Sequence, residues 1–317
     1  MATIELSWWT HPPAAMTGGA VTIGNFDGVH RGHRELIEAA ARAARDVGGP
    51  AVAVTFDPPP AALLYPQPEK ATPLTTLRDR SALLHAAGVD HVVILKTDAG
   101  LLSLSPEAFF EEVITRVFAA KAVVEGYNFH FGRGRTGDTR LLRSLCESAG
   151  IRFVEVAPVT VSGAPVSSSR IRRLLHDGEV AAAAELFGRW YSLRGIVVPG
   201  ARRGRTIGFP TANLEEVMTV IPGPGVYAVR ARIDRASQVG EAWMPAAANI
   251  GPNPTFGDTA RKLEVHLLDY AGDLYGQTLR IEFVARLRDI RTFAGVEELV
   301  EQLRVDIAQT RAILRQQ

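Results

Sequence analysis

The sequence predicts two architectures in series: an α/β half built on a parallel sheet, then an antiparallel β-barrel half with a terminal α-helix. Three observations carry this reading. Short apolar runs alternate with amphipathic stretches through the first half. Gly and Pro recur every few residues after Gly188. Helical spacing of apolar residues returns only near the carboxyl terminus. The first pattern belongs to βαβ units with right-handed crossovers, the second to short strands joined by tight turns.

Taken in order, strands are expected at 20–23, 51–56, 91–95, 122–125 and 151–156, and helices at 33–47, 76–87, 105–119 and 138–149. Segments 126–132, after a strand, and 166–173, before a helix, are placed to reach the carboxyl edge of the sheet, where open α/β sheets bind ligands. In the second half, 225–233, 262–270 and 279–287 read as strands. Val296, Leu299, Val300, Leu303 and Ile307 predict a last helix that lays one apolar face on the barrel. The stretch 178–188 reads as the junction, giving domains 1–186 and 187–317.

The chain has 317 residues, 46% apolar and 22% charged, enough for two ordinary globular cores. A net charge of +1 provides no whole-molecule field to hold nucleic acid or an anionic membrane, so neither is expected as a partner. The single cysteine, Cys146, excludes an internal disulfide and a cysteine metal motif. Residues 1–10 lack a basic segment followed by an apolar run, and no apolar run approaches the roughly 18 residues of a spanning helix. These features suit a cytoplasmic protein, and they leave its oligomeric state open.

The most informative segment is Gly24-Asn25-Phe26-Asp27-Gly28-Val29-His30-Arg31-Gly32-His33, which follows an apolar strand and opens a helix. A helix start presents unpaired N–H groups and positive dipole to an anion, and His30 and His33, three apart, add imidazole donors for phosphate oxygens. Gly28 and Gly32 permit close backbone approach. The HxxH spacing alone also suits a metal, but no Glu follows the first His, and no Cys or carboxylate cluster completes a shell.

Ser167-Ser168-Ser169-Arg170-Ile171-Arg172 puts hydroxyls before a helix and guanidinium groups in its first turn. Alone, this also reads as an N-cap with surface arginines. Beside HxGH it supplies the other half of a triphosphate clamp, with hydroxyl and N–H donors and permanent positive charge. Such donors suffice for nucleotidyl transfer, which needs positioning and charge stabilisation but no protein nucleophile.

These motifs, with Gly126-Tyr127-Asn128-Phe129-His130-Phe131-Gly132, resemble the adenylyltransferase module of the bacterial bifunctional riboflavin kinase/FAD synthetase family, a Rossmann-like nucleotidyltransferase fold. The second half resembles that family's kinase module through Gly204-Arg205-Thr206-Ile207-Gly208-Phe209-Pro210-Thr211-Ala212-Asn213, Ala248 to Phe256, and Leu263-Glu264-Val265-His266-Leu267-Leu268-Asp269-Tyr270. The resemblance spans about residues 18–310 and implies ATP as substrate, magnesium, and riboflavin, FMN and FAD as small-molecule partners.

It further implies that Gly24, Asn25, Phe26, Asp27, Gly28, His30, His33, Asn128, Ser168, Ser169 and Arg172 surround one ATP, with His30, His33 and Arg172 acting in the reaction. Phe131 would pack on the flavin ring; it reads equally as a core residue. In the kinase module Thr211 and Asn213 would hold magnesium and phosphates, and the loop 200–208, with Gly200, Gly204 and Arg205, would close over them. Glu264 matches the general base for the ribityl hydroxyl. Strand alternation supports it, because Leu263, Val265 and Leu267 face one side and Glu264 and His266 the other. Pro59 stands where the family usually has His, Ser169 replaces the usual Thr, and Pro199 stands where His is frequent. The Pro59 departure makes a riboflavin kinase with a weakened or lost adenylyltransferase one alternative; a non-catalytic flavin-binding regulator, from a different class, is the other.

Overall fold

The computed structural model describes residues 1–64, 72–200, 203–234, 242–253 and 258–316. They fall into two compact units, Met1–Ser167 and Ser168–Gln317.

In the first unit, strands β1 (Ala2–Ser7), β2 (Ala20–Ile23), β3 (Ala51–Asp57), β4 (His91–Lys96), β5 (Ala122–Gly126) and β6 (Arg152–Val156) form a parallel sheet in the order β1-β4-β3-β2-β5-β6. Val21, Ile23, Val52 and Val54 face one core layer with Phe110, Val113 and Leu142, whereas Ala20, Ala51 and Ala53 face the other with Ile37, Ala40 and Ala44. Period-2 alternation thus sends small residues to the face covered by α1 (Arg31–Val47), so helix and sheet approach closely. Helices α2 (Leu77–Ala86) and α3 (Thr139–Ser148) complete the layers.

The edge strand β1 lies outside the expected elements. Its alternate residues are exposed, and only its pairing with β4 marks it as sheet. The helix expected over 105–119 is α-helical at Pro106–Phe109 and winds wider over Phe110–Val117, burying Phe110, Val113, Ile114 and Val117 together. Cys146 is buried in α3, and burial pushes its thiol pKa up to about 12, which makes it an inert packing residue.

A short hairpin, β7 (Thr160–Val161) with β8 (Ala164–Pro165), precedes α4 (Ser168–His176) and α5 (Val180–Phe187) in the chain. The second unit is a closed barrel, β10-β13-β12-β11-β14-β9, of strands β9 (Tyr191–Val198), β10 (Ala212–Glu215), β11 (Gly225–Ile233), β12 (Met244–Asn253), β13 (Asp258–Leu267) and β14 (Thr278–Arg288). Both α4 and α5 belong to this unit. Gly223 donates its N–H to the carbonyl of Leu175 in α4, and the ring of Phe187 in α5 stacks on Tyr191 at 5.7 Å.

The last helix, α6 (Val296–Arg315), is present, but the expected apolar stripe is only part of its buried face. Val296 is 45% exposed, and the deepest side chains are Asp306 and Thr310. Arg288 of β14 explains the difference: its Nε and Nη2 donate to Asp306 at 3.0 and 2.8 Å, so an ion pair, invisible to apolar periodicity, anchors this face.

Candidate active sites

In the parallel sheet, β2 and β5 are the neighbours at which strand order reverses, so their carboxyl ends flank the crevice where such folds bind ligands. Their ladder stops early, at Val21 opposite Val123. Beyond it the Ile23 N–H donates to the side chain of Glu125 at 2.6 Å. Burial pushes the Glu125 carboxyl well above the usual carboxylate range, with the Ile23 N–H only partly opposing. A buried carboxyl whose charged form is disfavoured therefore spaces the two strands at the mouth of the crevice. Sequence reading treated Glu125 as the end of a strand; an acid within an otherwise apolar β-run was the available signal.

From that edge, Gly24 to Val29 turn into α1. His30 is its N-cap: its Nδ1 accepts the His33 N–H at 3.3 Å, which puts the ring proton on Nε2. The two imidazoles stack at 3.6 Å and 15°, and Phe26 meets His33 edge-on at 5.4 Å. The pair thus presents one compact donor surface at a helix start, with His30 buried and His33 half-buried. A side chain at Gly32 would meet the His30 ring at 3.3 Å and lie 3.9 Å from the Val166 carbonyl, so the chain just before Ser168 runs past this turn.

Gly24 is half-buried and Asn25 exposed, whereas Phe26, Asp27 and Gly28 are buried. The Asp27 carboxylate accepts from Leu74 N and Thr75 N at 3.0 and 3.2 Å and from Arg80 Nη2 at 3.3 Å, so it faces protein. Asn128 is exposed in the turn after β5. Phe131 is 5% exposed and belongs to the core, stacked on Phe129 at 5.6 Å and tilted on Phe109 at 5.9 Å. Of the two readings of this ring, the structure places it in the core. Ser168 and Arg172 are half-buried and Ser169 exposed in the first turns of α4, while Ile171 and Leu175 anchor that helix.

On the barrel, Leu263, Val265 and Leu267 are buried inward and Glu264 and His266 point to the outer wall, as alternation requires. Register sets Glu264 directly opposite Asn213 of β10 and Asn249 of β12. Directly opposed residues share a face with Cβ atoms about 5 Å apart, so the three form one polar row. Thr211 stands two residues before Asn213, just ahead of β10. A Cβ on Gly200 would come within 2.2 Å of Asn213 Nδ2, and one on Gly204 within 2.3 Å of the Phe209 carbonyl and 3.6 Å of Thr211 Oγ1. Only glycine at these positions lets the loop sit against the Thr–Asn pair. His266 Nδ1 bonds the Pro210 carbonyl at 2.7 Å, tying that loop to β13. Arg205 is exposed; residues 201–202 of the expected loop, and 254–256 of the Ala248 to Phe256 motif, lie outside the described residues. Asn249 carries no role in the sequence reading, and cross-strand register is what sets it beside Glu264; His266 shares that wall by alternation and by its bond to the Pro210 carbonyl.

A hydroxyl and an amide carbonyl beside a glycine cradle form a hard-oxygen donor set of the kind that holds magnesium together with substrate phosphates. Among the described residues, no group of three or more His, Cys, Asp or Glu forms a metal cage. The oxygen donors of Thr211 and Asn213 are of the type a magnesium ion takes.

Comparison with known proteins decides between a general nucleotide fold and a specific family. The family model for FAD synthetase matches residues 13–170 and that for riboflavin kinase residues 187–314. The chain is 36% identical over 293 residues to the bifunctional riboflavin kinase/FMN adenylyltransferase of Escherichia coli strain K12, covering 92% of each. The chain belongs to the bifunctional riboflavin kinase/FMN adenylyltransferase family. Its likeness to the family member of Bacillus subtilis strain 168 is 34% over 96% of each chain. A crystal structure described as a macrolide-efflux protein from Streptococcus pneumoniae superposes with a TM-score of 0.87 at 33% identity, covering 98% of both chains. Among the described residues, no helix is long and apolar enough to cross a membrane.

Proposed function

We propose that the chain makes FAD in two steps. Riboflavin and ATP give FMN and ADP on residues 187–317, and FMN with a second ATP gives FAD and pyrophosphate on residues 1–186. The observation that carries the kinase half is the polar row Asn213–Glu264–Asn249 beside Thr211 and the Gly200 cradle. Glu264 takes the proton of the ribityl 5′-hydroxyl as its oxygen forms a bond to the γ-phosphorus and the bond to the β-phosphate oxygen breaks. Thr211 and Asn213 hold magnesium, which when bound neutralises phosphate charge. Gly200, Gly204 and Arg205 line the phosphate side of that site.

For adenylyl transfer, an FMN phosphate oxygen attacks the α-phosphorus of ATP and pyrophosphate leaves. His30, His33 and the first turn of α1 take up the charge growing on the leaving group, and Ser168, Ser169 and Arg172 add hydroxyl and guanidinium donors. Gly24, Asn25, Phe26, Gly28 and Asn128 shape the ATP side, and Asp27 acts by holding the loop.

Chromatography of products from riboflavin, ATP and magnesium tests the reading: FMN appears first and FAD follows, with one ADP and one pyrophosphate per FAD. Chelation by EDTA stops FMN formation. FMN without FAD would remove the adenylylation half; flavin bound without ATP consumption would remove both.

A further inference from the structure

Between β2 and α1 the backbone does something side chains resist. Phe26 and Val29 have φ of +45° and +38°, flanking Gly28 at +86°. For a β-branched residue such as Val29, this is a true outlier that survives only when its surroundings over-determine it. Those surroundings are a buried polar network reaching the loop from two other segments. Asp27 accepts from Leu74 N, Thr75 N and the Thr75 hydroxyl, at 3.0, 3.2 and 3.3 Å. The Gly28 N–H donates to the same Thr75 hydroxyl at 3.1 Å. Arg80, 2% exposed in α2, forks its guanidinium between Asp27 at 3.3 Å and the Thr55 hydroxyl at 3.3 Å; that hydroxyl donates to the Asn25 carbonyl at 3.1 Å.

We propose that Arg80 is a positioning residue for FMN adenylylation: through Asp27 and Thr55 it locks the Asn25–Val29 turn, and with it the His30 N-cap, in the phosphate-ready shape before nucleotide arrives. A planar fork is what the geometry needs, since one cation must satisfy two acceptors on different segments. Neither Arg80 nor Thr55 belongs to the phosphate-binding surface itself, so each acts only through the loop.

The inference rests on the assignment of adenylyl transfer to this loop, and the test separates the two. Arg80→Met lowers kcat/KM for ATP in FMN adenylylation about 10²-fold, the scale of a displacement of about 1 Å, with riboflavin phosphorylation within twofold of wild type. Arg80→Lys, which keeps the charge but not the fork, recovers part of that loss, and Thr75→Val shows a similar selective defect. Independently of activity, hydrogen exchange in the nucleotide-free full chain speeds up at the Gly28, Leu74 and Thr75 amides in Arg80→Met and in Thr75→Val. Three results would overturn the proposal: adenylylation within twofold of wild type in folded variants, equal loss of both activities, or melting of the first unit in all three variants, which would make Arg80 a general stability element. A wild-type chain that makes no FAD would defeat the assignment instead, and exchange would still judge the lock.

Discussion

The two candidate sites are held in shape by different means. The adenylylation turn is fixed from beneath, by a neutral buried cluster of Asp27, Arg80, Thr55 and Thr75 that forces two non-glycine residues to positive φ. The kinase row is fixed sideways, by barrel register, with its side chains on a half-exposed wall and its loop pressed against Asn213 through a glycine. Strain balanced by buried polar bonds gives a site sensitive to distant residues. A site made by register is sensitive mainly to its own members and to the glycines that let a loop approach.

That contrast can be broken most severely at the two donor sets. His30→Ala with His33→Ala removes both imidazoles and the N-cap, so FAD formation drops about 10⁴-fold while FMN accumulates, as product chromatography shows. Glu264→Gln does the reverse, lowering FMN formation about 10³-fold with adenylylation of supplied FMN unchanged. Parallel loss of both activities in either folded variant would contradict separate sites. Gly200→Ala sharpens the comparison: a methyl at 2.2 Å from Asn213 must push one of them aside, so KM for ATP in the kinase step rises about tenfold, read by steady-state kinetics.

The smallest effect concerns Glu125. Its folded pKa lies above the ordinary 4.5, so the native chain keeps a proton that the unfolded chain gives up. That contribution is complete below about 4.5 and drains away as pH rises toward the folded value. Glu125→Gln needs no proton there. Urea midpoints of the variant and wild type therefore draw apart with rising pH, the variant gaining relative stability. A difference independent of pH between 5 and 9 would show the carboxyl to be charged.

Much of this molecule was legible in its sequence where information is local. The strands at 20–23 and 225–233 match their expected limits, since β-branched runs end at turn residues, and the HxGH turn and the Leu263–Leu267 alternation pointed to the candidate residues directly. What was hidden is nonlocal. Arg80 binds a carboxylate 53 positions away, Asn249 meets Glu264 only through strand register, and β1 becomes a strand only because β4 offers it an edge. The Asp306–Arg288 pair escaped for the same reason: a charge buried on a helix face is defined by its partner.

The barrel also keeps the residues that fill it apart from the residues that carry its polar groups. Ala246, Ala248, Ile250, Leu263 and Val265 fill its interior, while Asn213, Asn249 and Glu264 stand on the opposite side of the same strands. A substitution in that polar row leaves the apolar interior filled as before, so it removes a working group without emptying the core that keeps the barrel closed.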